Sequence, residues 1–230
     1  MRLRQYTNEG WSEVMIDLDE TAAAAAAADQ KSLKLRWVKA KKPTLNTALI
    51  KRSVAEPKVG AVYEICPDAI DIGIILADRF AHAPSAALFI DYGGSTAEKN
   101  SLRVRFLFFF WICFVKRKTP VPTQAIKEHK FVDPLVNPGD ADLSCDVDFT
   151  SLRHPDLALH GPITQSKFLG NMGLFERCQH LLSNAKSQEQ ADALTAAYYR
   201  LAGEEIGQMG VVYKAMAVTS KDISAPPPFC

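Results

Sequence analysis

The stretch that decides the fold class is residues 61–94, AVYEICPDAIDIGIILADRFAHAPSAALFIDYGG. Residues 62–65 predict a short strand, and Pro67 follows at a position that suits the first turn of a helix. Apolar residues recur through that helix at a spacing that places them on one face: Ala69, Ile70, Ile74, Ala77 and Phe80. The unbroken apolar run at 86–90 is typical of a central parallel strand covered on both faces. Strand, helix and strand in this order predict a βαβ unit within an α/β sheet.

Polar and flexible residues follow the predicted buried strand directly. Asp91, Tyr92 and Gly93 stand where that strand ends. Because ligands of α/β sheets bind outside the carboxyl ends of the strands, Tyr92 and Gly93 are possible ligand-contacting residues. By themselves, Gly93 and Gly94 favour a tight turn, and a ligand-facing loop is the alternative interpretation.

Two strands are predicted on the N-terminal side. The alternation at 11–18 places Val14, Ile16 and Leu18 on a half-buried face. A poly-alanine segment of low complexity, 22–30, separates this strand from a second one at 31–42. The basic residues of the second strand favour a solvent-exposed strand face, and a nucleic-acid-binding patch is the alternative interpretation.

Helices dominate the C-terminal third. Thr164 is a predicted N-cap of a helix that Gly173 closes. The sequence also predicts helices at 175–182 and 191–201, a final strand at 209–218 and a loose tail at 221–230.

Composition excludes several classes of protein. The net charge is +1, so no global field draws the chain to nucleic acid or anionic lipid. The five cysteines are odd in number and widely spaced, which argues against a disulfide framework or a structural zinc site. Residues 106–115 form an apolar run of about half the length that a bilayer-spanning helix needs. The N-terminus lacks the apolar core of a secretory signal.

Common catalytic and metal-binding motifs are absent from the sequence. Counted from Asp140, a calcium loop would need glycine where Cys145 stands and glutamate where Ser151 stands, so we reject an EF-hand. The sequence also lacks the G-x-S-x-G of serine hydrolases and the P-loop. We therefore expect no metal site.

Several short pieces of the chain, taken in order, carry a resemblance to a known family. They are GWSEV (10–14), CPDA (66–69), ALFIDYG (87–93), HKFVDPL (129–135), ADLSCDVDF (141–149), GPITQ (161–165) and MGVVYKAMA (209–217). Together they resemble the C-terminal part of the MidA family. Members of that family are mitochondrial S-adenosylmethionine-dependent protein arginine methyltransferases required for assembly of respiratory complex I.

The resemblance implies a class I, Rossmann-like methyltransferase fold with a doubly wound sheet. It implies S-adenosylmethionine as cofactor, a complex I subunit arginine as the symmetrically dimethylated (type II) substrate, and the mitochondrial matrix as location. Carboxylates orient a guanidinium by paired hydrogen bonds, so Asp91, Asp146 and Asp148 are candidate catalytic residues. The alternative is that these three aspartates are turn and capping residues.

The chain departs from the family pattern in two places. The family's glycine-rich cofactor turn does not occur, so no cofactor-binding residue is identifiable, and we expect a partial domain (1–225) with a sheet incomplete at its N-terminal side. We expect such a chain to lack the transit peptide, to bind no S-adenosylmethionine, and to be inactive alone or to act as a non-catalytic binding or assembly module. The second departure is an insert at 104–124, VRFLFFFWICFVKRKTPVPTQ.

Two interpretations of the insert 104–124 stay open. Its first codon can begin GT, its last can be CAG, and its phenylalanines imply a T-rich message, so we favour a retained short intron that is translated in frame. The alternative is a hydrophobic hairpin that docks on lipid through its flanking basic residues. Either way, the exposed apolar residues predict poor solubility.

Overall fold

A computed structural model of the 230-residue chain describes residues 2–7, 10–19, 35–42, 44, 59–60, 62–95, 125–127, 130–132, 135, 145–205 and 207–230. The poly-alanine segment 22–30, the insert 104–124 and Asp140 lie outside the described residues. The predictions made for them therefore stay predictions.

The described elements are ten strands, four α-helices and one 3₁₀ turn. The strands are β1 Arg2–Thr7, β2 Gly10–Leu18, β3 Leu35–Lys39, β4 Val62–Ile65, β5 Ala86–Gly94, β6 Ala125–Lys127, β7 Lys130–Val132, β8 Val147–Asp148, β9 Leu157–Thr164 and β10 Tyr213–Ser220. The helices are α1 Pro67–Phe80, α2 Gln165–Asn171, α3 Leu174–Ser183 and α4 Gln188–Ala202, and the 3₁₀ turn is Phe149–Leu152.

The chain divides into two compact units. The first holds an antiparallel sheet in the order β3-β2-β1-β4 and the antiparallel pair β6-β7. The second holds a mixed sheet in the order β8-β5-β10-β9, together with α1 from Ala69 onward and helices α2, α3 and α4. Strands and helices combined in this way confirm the predicted α/β class.

The predicted strand at 11–18 is confirmed as β2, but its predicted buried face is only partly so. Val14 is buried and packs against Trp37 and Val62. Ile16 is 51% exposed and Leu18 is 48% exposed, because the apolar cluster around Val14 does not extend to them. The alternation therefore predicted the strand correctly and the burial of Ile16 and Leu18 wrongly.

Helix α1 begins at Pro67, as predicted, and its buried face is rotated from the predicted stripe. Gly73 and Ala77 are buried, whereas Ile74 is 52% exposed. A Cβ at Gly73 would lie 2.9 Å from the carbonyl oxygen of Leu152. Glycine at this position lets the helix approach the backbone of the 3₁₀ turn closely.

The prediction of a βαβ unit is wrong. Strands β4 and β5 lie in different sheets, and the long partner of β5 is the antiparallel strand β10. The buried-strand prediction for 86–90 is also wrong in part, because Leu88 is 51% exposed and Ile90 is 47% exposed. The local pattern predicted that β4 lies in the same sheet as β5, but β10, near the end of the chain, is the strand that pairs with β5.

The core of the second unit lies under strand β10. Phe149, Met216 and Val218 are each at most 1% exposed and form one cluster with Ala77 and Leu152. The cluster joins helix α1, the 3₁₀ turn and the mixed sheet, so it holds β5, β8 and β10 in a common position.

The three predicted C-terminal helices are confirmed, although α4 begins at Gln188, three residues before its predicted start at 191. The Thr164 hydroxyl accepts a hydrogen bond from the backbone N–H of Lys167 at 3.2 Å and caps α2. Gly173 has a left-handed backbone and precedes α3. The tail 221–230 contacts helix α2 in two places. The side-chain amide of Asn171 donates a hydrogen bond to the carbonyl oxygen of Pro228 at 2.9 Å, and the ring of Phe229 contacts the ring of Phe168. The tail, expected to be loose, thus has specific contacts with α2.

Candidate functional site

Three strands of the mixed sheet bring polar residues to one edge. Strands β5 and β8 run parallel, with Gly93 opposite Val147 and Gly94 opposite Asp148. Strand β10 is antiparallel to β5, so it begins at the edge where β5 ends. The carboxyl end of β5 is therefore the place where side chains from separate parts of the chain meet.

A pair of tyrosines lies at this edge. Tyr92 and Tyr213 are opposite each other across β5 and β10, with ring centroids 4.1 Å apart. The hydroxyl of Tyr213 donates a hydrogen bond to the hydroxyl oxygen of Tyr92 at 2.7 Å. Each tyrosine is half-buried. The sequence-predicted residue Tyr92 is thus held by a partner 121 positions away.

The pair perturbs the titration of Tyr213. Burial, the hydrogen bond to Tyr92 and the negative charges of Tyr92 and Asp91 raise the pKa of Tyr213 to about 12, and the positive charge of Arg200 opposes them. Each raising cause favours the neutral phenol. Tyr213 therefore keeps its proton, and remains a donor to Tyr92, throughout the physiological range.

Asp91 is exposed beside the pair. One of its carboxylate oxygens, Oδ1, accepts a hydrogen bond from the backbone N–H of Tyr92 at 2.7 Å. Lys214 stands opposite Asp91 in the β5–β10 register. Because the carboxylate is at the surface and only Oδ1 takes part in the contact to Tyr92, Asp91 can receive a cationic group from solution.

Gly93 is required by the packing of β8 against β5. Its φ is +151°, and a Cβ built there would lie 2.1 Å from the carbonyl oxygen of Val147. Only glycine permits both that backbone conformation and that approach. This contact within the chain accounts for the glycine, and a ligand contact at Gly93 stays a prediction.

The carboxylate of Asp148 is directed at its own turn. It accepts hydrogen bonds from the backbone N–H of Thr150 at 3.0 Å, the hydroxyl of Thr150 at 2.7 Å and the hydroxyl of Ser151 at 3.0 Å. These contacts support the capping interpretation of Asp148. Asp146 is half-buried and belongs to the first unit, so the structure does not place all three predicted aspartates in one unit.

Sequence reasoning missed Tyr213 and Arg200. Tyr213 was predicted only as part of a final strand, since nothing local indicates which strand lies beside it. Arg200 is on α4, donates to the carbonyl oxygen of Gly207, and is close enough to influence Tyr213. Both residues reach the site only through contacts between distant parts of the chain, which local sequence patterns do not contain.

The described residues include no group of three histidine, cysteine, aspartate or glutamate side chains arranged to hold a metal ion. None of the helices in the described part of the chain is both long and apolar enough to cross a bilayer.

Comparisons with known proteins give the family. Residues 1–162 match the family described as putative S-adenosyl-L-methionine-dependent methyltransferase. The chain is 32% identical to the mitochondrial protein arginine methyltransferase NDUFAF7 of Danio rerio, over 89% of this chain and 41% of that protein. It is 34% identical to the Mus musculus protein of the same name, over 84% of this chain and 37% of that protein. The chain thus spans about two fifths of the length of these curated relatives.

A solved structure shares the fold. It is a candidate methyltransferase from Burkholderia thailandensis bound to S-adenosyl-homocysteine, with a TM-score of 0.64 and 21% identity over 97% of this chain and 51% of that one. These findings confirm the resemblance that the short pieces carry. Since the family match covers well over half of the residues, the chain belongs to the family of putative S-adenosyl-L-methionine-dependent methyltransferases.

Proposed function

We propose that this chain is part of a mitochondrial protein arginine methyltransferase that symmetrically dimethylates a subunit of respiratory complex I. The observation that carries the proposal is the name shared by curated relatives at 27–34% identity over 84–94% of the chain. The matrix location and the complex I substrate come from the family resemblance of the short pieces described above.

The exposed edge at Asp91 supports a role on the acceptor side of this reaction. A guanidinium is planar and cationic, and a carboxylate holds it in a fixed orientation through charge-assisted hydrogen bonds. Orientation of the nucleophile against the methyl donor is the main contribution a protein makes to such a transfer. We assign this orienting role to Asp91, whose carboxylate is at the surface, rather than to Asp148, whose carboxylate caps a turn.

The described residues do not fit the methyl donor. A nucleoside-containing donor needs a glycine-rich turn whose backbone N–H groups approach it closely. The sequence contains no glycine-rich motif of this kind, and at Gly93, among the described residues, the backbone of Val147 fills the adjacent space. We propose that these residues alone do not bind S-adenosylmethionine, and we derive no reaction step through it.

Isothermal titration calorimetry with S-adenosyl-homocysteine tests the donor part of this proposal. The 230-residue chain is expected to give no binding heat at ligand concentrations up to about 1 mM, so that any binding is weaker than about 4 kcal/mol. Micromolar binding would contradict the proposal, because it would require a donor site within these residues.

The absence of the donor turn also favours a second function, a non-catalytic binding or assembly module. Disruption of the gene in the source organism separates the two. If the chain serves a methyltransferase, both complex I assembly and symmetric dimethylarginine on its subunits fall. If it is an assembly module, complex I assembly falls and the dimethylarginine content of the remaining subunits stays unchanged.

A further inference from the structure

The hydroxyl of Tyr92 has a proton to donate and no acceptor within the described residues. It accepts a hydrogen bond from Tyr213, so its own proton must point elsewhere, and no acceptor for that proton occurs in the described part of the chain. A phenol that accepts one hydrogen bond becomes a stronger donor of another, because the two bonds polarise each other. The Tyr92 O–H is therefore a strengthened donor at the edge of the sheet.

Within the pair, the hydroxyl of Tyr213 donates and the hydroxyl oxygen of Tyr92 accepts, at 2.7 Å. Burial, as the largest cause, raises the pKa of Tyr213 to about 12, so Tyr213 keeps the proton that it donates. The ring of Tyr92 is fixed by contact with the ring of Tyr213 at a centroid distance of 4.1 Å. Tyr92 is thus pre-organised, and a ligand would not have to pay for ordering its side chain.

The charges around the pair indicate which kind of acceptor fits. Two cations lie near the pair, but Lys214 donates to the carbonyl oxygen of Val211 and Arg200 to that of Gly207. The exposed carboxylate of Asp91 next to Tyr92 attracts a cationic ligand group and repels an anionic one. A neutral carbonyl that belongs to a positively charged peptide satisfies both conditions. An arginine-containing peptide supplies both groups, a guanidinium for Asp91 and a backbone carbonyl oxygen for Tyr92.

We propose that the Tyr92 hydroxyl donates a hydrogen bond to a backbone carbonyl of the protein substrate beside its acceptor arginine, and that Tyr213 positions it. This inference rests on the proposed function, since it names how that substrate would be held. Tyr92 is the residue in contact with substrate, and Tyr213 acts only through Tyr92.

The test is a titration of the full chain, labelled with ¹³C at its tyrosine rings, with the capped peptide acetyl-Gly-Arg-Gly-amide. We expect a saturable shift of the Tyr92 resonance and a dissociation constant that rises about threefold to tenfold in Tyr92→Phe, as loss of one hydrogen bond predicts. In Tyr213→Phe we expect a smaller rise, together with a changed Tyr92 resonance in the free protein, which a merely structural role would not produce. Tyr199→Phe, at an exposed tyrosine of α4, is the matched control and should leave the affinity unchanged.

Several outcomes would overturn the proposal. They are an absence of peptide binding to the wild-type chain, equal affinities for wild type and Tyr92→Phe, and a stronger response to acetate than to the peptide. Failure of the proposed function is distinguishable from these results. A chain that binds the peptide through Tyr92, in an organism whose dimethylarginine does not depend on the gene, refutes the methyltransferase function and leaves the Tyr92 contact standing.

Discussion

Substitution of Gly93 by alanine should destabilise the second unit strongly. The new Cβ would lie 2.1 Å from the carbonyl oxygen of Val147, 2.8 Å from its nitrogen and 2.9 Å from its carbonyl carbon. Since a carbon and an oxygen pack at about 3.5 Å, β5 and β8 would have to separate by roughly 1 Å or more. The φ of +151° adds strain of its own for a residue with a Cβ.

The expected cost combines both effects. Overpacking costs about 1–3 kcal/mol and an unfavourable backbone conformation costs about as much again, so we expect a loss of about 3 kcal/mol in the free energy of unfolding. The displaced strand leads directly into the buried residue Phe149, so the separation cannot be absorbed at the surface. For a chain of this length the melting temperature should fall by roughly 6–12 °C.

Gly94→Ala is the matched control, because a Cβ at Gly94 meets nothing within 4 Å and its φ needs no glycine. It should change stability by less than about 1 kcal/mol. Thermal and urea denaturation followed by circular dichroism compare the two variants. Equal melting temperatures for Gly93→Ala and Gly94→Ala would refute the packing explanation of this glycine pair.

Three variants and one pH dependence of stability give further predictions for side chains of the second unit. Tyr92→Phe should lower the pKa of Tyr213 from about 12 towards its usual value without reaching it, because burial persists, and ultraviolet difference titration measures this. The folded pKa lies above the unfolded one, so the contribution of Tyr213 to stability is complete below about pH 10 and is lost as the pH rises to about 12. Asp148→Ala should cost about 1–2 kcal/mol in urea denaturation, since it removes the hydrogen bonds to Thr150. Ser187→Ala should cost about 1 kcal/mol, because the hydroxyl of Ser187 caps α4.

Each of these variants has a control at an exposed position. Tyr199→Phe should leave the titration of Tyr213 as it is, and Asp222→Ala and Ser224→Ala should leave the urea midpoint within about 0.5 kcal/mol of wild type. An unshifted Tyr213 in the Tyr92→Phe variant would mean that the two hydroxyls do not interact in solution. If Asp148→Ala left the free energy of unfolding unchanged, the capping interpretation would be wrong and Asp148 would again be a candidate substrate-binding residue.

Local signals in the sequence predicted the elements of the fold well. Pro67 marks the start of α1, and the Thr164 hydroxyl caps α2, because each effect involves residues within one helical turn. The same locality made the capping role of Asp148 foreseeable from the threonine and serine that follow it. Such features depend only on neighbours along the chain, so a single sequence contains them.

Pairing between distant strands was not predictable from those signals. The apolar run at 86–90 has the composition of a buried parallel strand, but β10, from more than 120 positions later, pairs with it in the antiparallel direction. That register also determines the contact between Tyr92 and Tyr213, so the sequence alone could not predict that Tyr213 belongs to the candidate site. The exposure of Ile90 has the same origin, since burial depends on which elements cover a face.

The most direct test of the central claim is mass spectrometry of complex I subunits from the source organism with Asp91→Asn introduced at the genomic locus. Loss of the carboxylate would remove the charge-assisted contact that we propose between Asp91 and the acceptor arginine, so symmetric dimethylarginine should form about tenfold more slowly. Asp156→Asn, at an exposed aspartate of the same unit, should leave the modification at its wild-type level. Unchanged dimethylarginine in the Asp91→Asn strain would contradict the assignment of this edge of the sheet to the acceptor.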